Sequence, residues 1–311
     1  IVTASIPFIA LYNGGAAVFR AMGNSEVSMK VSLLMNAINV SGNAILIYGF
    51  HCGTEGVAIP TLVSRFVAAF IIIKLLKDKW SLHLERTYRF NPDWSMIRKI
   101  LSVGIPNGLE NSMFQLGKVL VLSLVSTFGT YAIAANAVSN VITLFSILPG
   151  QAICLAVTTV IARCVGAGDY EQAKYYNKKL ILLTHIGMAI TIFIVFITLP
   201  FILKVYNLSE AASEATRHII WFHGFCAILI WAESFTLPAT FRACGDAKAC
   251  MIISTVSMWI FRVGASYILG KNLGLGVFGV WVAMIIDWAF RSLLFGIRYF
   301  SGKWKKHALV S

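Results

Sequence analysis

A few polar and ionisable side chains interrupt otherwise apolar stretches of this chain, and their spacing suggests chemistry. Asn107, Glu110, Asn111, Gln115 and Lys118, with Phe114 among them, fall within an arc of about 140° on one helix. A carboxylate and two amides are oxygen donors of the kind a hard cation such as Na⁺, or a proton, requires, so Glu110, Asn111 and Gln115 form a candidate cation site. Lys118, two turns on, can hold or exchange the carboxylate's charge. The competing reading is a glutamate near a cytoplasmic helix end that reaches water, with which Gly104-Ile105-Pro106 is compatible. The next helix carries Asn136, Asn140, Thr143 and Gln151 on one face, usable as ligands or as interhelical hydrogen-bond glue, and Pro149 among them is expected to kink it. Glu233 lies nine residues before Arg242 with Pro238 between; it is either a coupling acid or the structural partner of a residue such as His223. Asp287 and Arg291, four apart, read as an internal ion pair. Arg65 has no acid near it on its own helix. Phe114, Phe145 and Met113 are candidate liners of a cavity for a lipophilic cation.

These residues must be positioned by membrane helices. The 311 residues are 58% hydrophobic and 13% charged, against roughly 45–50% and about 25% in a soluble domain. Apolar stretches of the length that crosses a bilayer run over 1–19, 27–50, 56–76, 100–128, 131–162, 180–205, 219–241, 251–269 and 277–299, the first reading as a span cut at its start. Residue 1 already lies in an apolar run with no basic stretch before it, so no secretory signal is visible. Of 26 Lys and Arg residues, 19 fall in connections on one side, including the loop from Lys77 to Lys99 and the C-terminal Lys303, Lys305 and Lys306. That bias puts the C-terminus in the cytoplasm and explains the net charge of +13 without a nucleic-acid partner.

The chain also repeats itself. Phe19-Arg20-Ala21-Met22-Gly23-Asn24 matches Phe241-Arg242-Ala243-Cys244-Gly245-Asp246 at an offset of 222, and Met29/Met251, Ser32/Ser254 and Gly42/Gly264 follow at the same offset. Parallel repeats of this kind are a transporter device, with substrate held between bundles. The expected division is a remnant of an N-terminal bundle over 1–76, a basic cytoplasmic linker over 77–98 and a six-helix C-terminal bundle over 99–311. The shorter first copy implies an N-terminally truncated protein of about twelve helices. Ser32, Asn36, Asn39 and Asn43 make one helix face polar in the first copy, where the second has Ser254, Met258, Phe261 and Ala265, so the cavity is expected to be asymmetric, with Asn36 and Asn39 among its liners.

Gly104-Ile105-Pro106 with Glu110-Asn111, the run Gly129-Thr130-Tyr131-Ala132-Ile133-Ala134-Ala135-Asn136, the turn Val165-Gly166-Ala167-Gly168-Asp169 with Ala173, and the twice-used Phe-Arg-Ala-x-Gly turn together resemble the multidrug and toxic compound extrusion (MATE) transporters in their bacterial, Firmicutes-like form. The resemblance implies an all-α polytopic protein of two pseudo-symmetric six-helix bundles facing a cavity. It further implies alternating access and export of organic cations or drugs in exchange for Na⁺ or H⁺, in the bacterial plasma membrane, by a monomer without a cofactor. It also places a coupling carboxylate on the helix of Glu110, and an acid on the helix of Glu233.

A lipid-linked saccharide flippase of the same superfamily is the alternative, kept open by Lys118, Arg65 and Arg262. An integral-membrane transferase would need paired carboxylates for Mg²⁺ or a His-Asp constellation at one membrane face, and no Asp-x-x-x-Asp or His-x-x-x-x-Asp pattern occurs. The glycine-rich turns lack the Lys-Ser/Thr of a P-loop. The six cysteines stand singly, which argues against a disulfide framework, and no metal other than Na⁺ is expected.

Overall fold

The computed structural model describes residues 1–77 and 92–307, and these are helical almost throughout. Most of the basic linker expected over 77–98 lies outside the described residues; its last part, from Trp94, is already helix. The chain divides into two compact units, Ile1–Pro92 and Asp93–Ser311.

The first unit holds α1 (Ile6–Ala21), α2 (Ser25–Ala44, continued by a π-helical turn over Ile45–Gly49) and α3 (Glu55–Leu76). Tyr12, Ala16 and Phe19 of α1 pack with Val31 of α2 and with Ala68, Ile72 and Leu76 of α3. The second unit holds α4 (Trp94–Ser126), α5 (Thr130–Gly166), α6 (Tyr170–Tyr206), α7 (Glu210–Ala243), α8 (Ala247–Ser257, prolonged by π-helical stretches Met258–Gly264 and Tyr267–Asn272) and α9 (Gly276–Phe300). Trp231 of α7 and Trp281, Trp288 and Met284 of α9 fill the centre of this bundle. A second cluster, with Phe241, Phe295, Cys244 and Trp304, closes one end.

Seven helices among the described residues are long and apolar enough to cross a membrane. The sequence suggests two more. Of these, α1 is only 16 residues long, and α4 is long enough but its polar stripe lowers its hydropathy. Several helices also outrun their apolar stretch: α6 begins at Tyr170 and α7 at Glu210. Hydropathy marks only the part in hydrocarbon, whereas the helix runs back to its cap. Asp93 accepts from the amides of Ser95 and Met96, Asp169 from Gln172, and Ser209 from Ala212, satisfying N–H groups that have no partner inside the helix.

The sequence repeat is a repeat of geometry. Gly23 and Gly245 take φ of 86° and 84°. Beside them the Asn24 amide donates to the Phe19 carbonyl and the Asp246 amide to the Phe241 carbonyl, at 2.9 Å each. Both turns are the glycine-terminated helix end that needs a left-handed residue after the last turn. The π-helical stretches Ile45–Gly49 and Tyr267–Asn272 begin at the same offset, 267 − 45 = 222.

Cys244 sits in the second of these turns, 1% exposed. Burial, aided by the Asp246 carboxylate, pushes its thiol up to about 12, so the reactive thiolate is absent at neutral pH. Maleimide labelling followed by mass spectrometry should therefore leave Cys244 unmodified in the folded protein and modify it after denaturation. Labelling as fast as that of an open thiol would contradict this burial.

Candidate functional site

In the second unit Glu110 is 5% exposed on α4, and its charge is met from another helix. One terminal nitrogen of Arg242, Nη2, donates to both carboxylate oxygens of Glu110, at 3.0 and 3.1 Å. Arg242 occupies the last turn of α7, inside the repeated Phe-Arg-Ala-x-Gly motif. A helix C-terminus suits a cation, and the tight turn that follows fixes where the guanidinium points. The pair lines a cavity of about 250 Å³ together with Asn107, Asn111, Phe114, Phe235, Pro238 and Arg291. The Asn111 side-chain amide donates to the Asn107 carbonyl at 2.9 Å, which leaves its oxygen as a free acceptor. Gln115 is exposed on α4 and is not among the residues lining this cavity.

Lys118 belongs to a neighbouring cavity of about 210 Å³, which it lines with Asn136, Asn140, Arg262, Trp281 and Met284. It does not hold the Glu110 charge, as its spacing had suggested; Arg242 does. The Trp281 indole donates to the Asn136 side-chain oxygen at 3.1 Å, and the Asn140 side-chain amide to the Asn136 carbonyl at 2.7 Å. Phe114 separates the two cavities. The Arg291, Arg262 and Lys118 cationic groups stand 5.2, 5.6 and 5.9 Å from its ring centroid. Gln151 and Phe145 are exposed on α5, and Met113 is half-buried.

The i, i+4 pair expected of Asp287 and Arg291 does not form. Asp287 is fully buried, accepts from the Ser257 hydroxyl at 2.5 Å and faces Arg262 at 3.9 Å. Arg262 reaches it from the π-helical stretch after α8, where the wider turn brings that side chain to α9. Arg291 is instead held over phenylalanine rings, 4.8 Å from the centroid of Phe235. Asp287→Asn would leave Arg262 in the interior without a countercharge; the expected loss is about 3 kcal/mol of stability, read as a lowered unfolding midpoint in detergent. An unchanged midpoint would count against the pairing.

Glu233 lies on the far face of α7 from Phe235, Pro238 and Arg242 and does not share the Glu110 cavity. Its partner is His185 of α6 at 2.9 Å, and His185 Nδ1 is 2.6 Å from the Ile228 carbonyl. His223, the partner that the sequence suggests, is buried edge-on against Trp281 and Trp288.

In the first unit the Asn39 side-chain amide donates to Thr61 at 3.1 Å and that of Asn43 to Asn39 at 3.2 Å, whereas Asn36 is exposed. Arg65 donates to the Ser5 hydroxyl at 2.7 Å.

Reading the chain by composition and spacing singled out Arg291 only as the partner of Asp287, and it missed Arg242, His185 and Trp281. For Arg242 a signal was available: it is the charged member of a motif used twice. His185 and Trp281 meet their partners across 48 and 145 residues, where no periodicity reports.

Comparison with known proteins sets this geometry in a family. A probable multidrug resistance protein NorM from Thermotoga maritima is 26% identical over 300 residues, covering 95% of this chain and 64% of its own length. An uncharacterized transporter, YisQ, from Bacillus subtilis is 26% identical over 97% of this chain and 68% of its own. The chain thus spans about two thirds of these curated relatives. Among solved structures, a multidrug resistance MATE family transporter of the MOP superfamily in an outward-facing conformation superposes with a TM-score of 0.86 at 21% identity, over 95% of this chain and 66% of that one. A MATE protein in complex with MaL6 gives 0.87 at 22% identity, over 96% and 68%. The MatE family model matches residues 106–268, which carry Glu110, Arg242 and the π-helical stretch Met258–Gly264. The chain is an all-α polytopic membrane protein, and it belongs to the MATE family of transporters.

Proposed function

We propose that the protein is a secondary-active exporter of organic cations or drugs, exchanging them for inward Na⁺ or H⁺ across the bacterial plasma membrane with its C-terminus in the cytoplasm. The observation that carries this reading is the buried Glu110 carboxylate, which is paired with Arg242 from another helix. The name of the Thermotoga relative, a probable multidrug resistance protein, supports it.

Glu110 can satisfy either Arg242 or an incoming cation. A proton on the carboxylate removes the charge that Arg242 pairs with. A sodium ion displaces the guanidinium and takes the Glu110 oxygens together with the free oxygen of Asn111. In both cases the tie between α4 and the end of α7 is released. Once that tie is open, a cargo that presents its cationic group to this cavity competes for the same carboxylate, with Phe114 and Phe235 as aromatic walls for that group alone. Ion and cargo therefore exclude each other, which is the minimum requirement for exchange.

Drug resistance and ion-driven efflux in cells producing Glu110→Gln test the reading. Ion-driven efflux should fall by about tenfold or more at unchanged protein level. Resistance and efflux equal to the parent protein would exclude Glu110 as the coupling group. A flippase for lipid-linked saccharides is the second reading, favoured by Lys118 and Arg262 lining the neighbouring cavity; complementation of a flippase-depleted strain, set against a drug-sensitive one, separates the two.

A further inference from the structure

Arg291 is 2% exposed, yet its Nε and Nη1 have no hydrogen-bond partner among the described residues. Its guanidinium stands over the rings of Phe235, Phe114 and Phe295 at 4.8, 5.2 and 6.0 Å. Those rings answer its charge in part and leave the N–H edge unused. Of the carboxylates nearby, Glu110 is held by Arg242, and Asp287 accepts from Ser257 through Oδ1; its Oδ2, 3.9 Å from Arg262, accepts no hydrogen bond among the described residues and meets the Arg291 charge without a hydrogen bond to it. Lys118 on the other side of Phe114 forms no salt bridge among the described residues either, so positive charge exceeds negative here. A buried guanidinium with empty donors is costly inside a membrane protein, and such groups mark a partner or a ligand.

We propose that Arg291 is the anchor of an oxyanion site in the Glu110 cavity, taking the phosphate or carboxylate of a small aromatic molecule or of a lipid headgroup. The planar edge of arginine fits two oxygens of one anion. Asn107 and Asn111 line the same cavity, and Phe114 and Phe235 offer faces for a ring. The volume of about 250 Å³ is below the roughly 300–1,000 Å³ of a complete small-molecule pocket, so the site takes an acidic group with one ring rather than a whole drug. The Glu110 carboxylate also lines the cavity and would repel an anion; Arg242, which donates to both of its oxygens, offsets that charge. The anion site belongs to the state in which Arg242 holds Glu110, whereas the cation of the transport reading takes the carboxylate once that pair is open, so the two use the cavity by turns and loss of phenyl phosphate binding would leave the transport reading standing.

Calorimetric titration of the purified full chain in detergent with phenyl phosphate, and with phenyltrimethylammonium as its cationic counterpart, tests the proposal. Phenyl phosphate should bind saturably and phenyltrimethylammonium about tenfold more weakly or not at all. Arg291→Gln should weaken phenyl phosphate by about tenfold or more, and Lys271→Gln, in an exposed segment, should leave it unchanged. Asn107→Asp puts a second carboxylate into the cavity without removing the buried arginine, and should abolish binding even where Arg291→Gln does not fold. Tighter binding of the ammonium compound, or undiminished phenyl phosphate binding in Asn107→Asp, would overturn the site. Repeating the titration in nanodiscs with and without phosphatidic acid identifies the source. Competition by the lipid assigns the site to a headgroup, lack of competition assigns it to a solute, and either result keeps the oxyanion site.

Discussion

Arg242→Ala should lower the stability of the protein by about 3 kcal/mol, and Glu110→Gln added to it should recover most of that loss. The single change strands a carboxylate that is 5% exposed beside a cavity with its nearest countercharge gone. Breaking a buried pair from one side costs roughly 3–5 kcal/mol, much of it the penalty of the orphaned charge. The Arg242 side chain is about a quarter exposed, which places the expectation at the low end of that range. The double variant removes both charges, so the penalty disappears with its cause. Thermal unfolding in detergent reads the cycle, at about 2–4 °C per kcal/mol for a domain of this size. Losses that simply add would show that the two residues are not coupled. The same comparison bears on transport: a protein whose α4 to α7 tie no longer responds to cations should lose ion dependence in both single variants.

Gly279→Val should also lower stability, for a steric reason. A Cβ at Gly279 would stand 2.8 Å from the carbonyl carbon and oxygen of Leu269 and 2.9 Å from the Gly270 nitrogen. These are backbone atoms of the π-helical end of α8 and cannot turn aside as a side chain could. Small residues let membrane helices approach to backbone contact, and overpacking such a contact costs about 1–3 kcal/mol, occasionally more. The variant should show a lowered unfolding midpoint and a reduced yield of monodisperse protein by size exclusion. Gly296→Ala on the same helix, with nothing within 4 Å of the added carbon, should be neutral or slightly stabilising, since alanine favours helix over glycine. Equal behaviour of the two variants would refute the close approach at Gly279.

The helices were legible because hydropathy and length are local properties. The repeat was legible because Phe-Arg-Ala-x-Gly stands in the sequence twice, and the two turns have the same hydrogen bonds. Glu110 could be singled out from its polar stripe, since an acid in an apolar helix must have an answer somewhere. Its partner could not be, because Arg242 lies 132 residues away and it is the packing of α4 against α8, the helix that follows the Arg242 turn, that brings them together. Where the reading relied on helical spacing to name a partner, tertiary contacts prevailed. Asp287 turned to Arg262, since a π-helical turn shifts side-chain register in a way that a 3.6-residue period does not describe. Glu233 turned to His185 on the neighbouring helix rather than to His223 on its own, because ten residues of helix, about 15 Å, keep His223 out of its reach, and His223 packs against two indoles instead.

The π-helical turns at Ile45–Gly49 and Tyr267–Asn272 carry a consequence for ancestry. A π-turn is an irregularity, less favourable than the α-helix around it, and kept where function demands it. Its presence at one position in both copies, under side chains that have otherwise drifted apart, is the trace that a single ancestral helix with this wide turn would leave after duplication, whereas the other π-helical stretch, Met258–Gly264, belongs to the later copy alone.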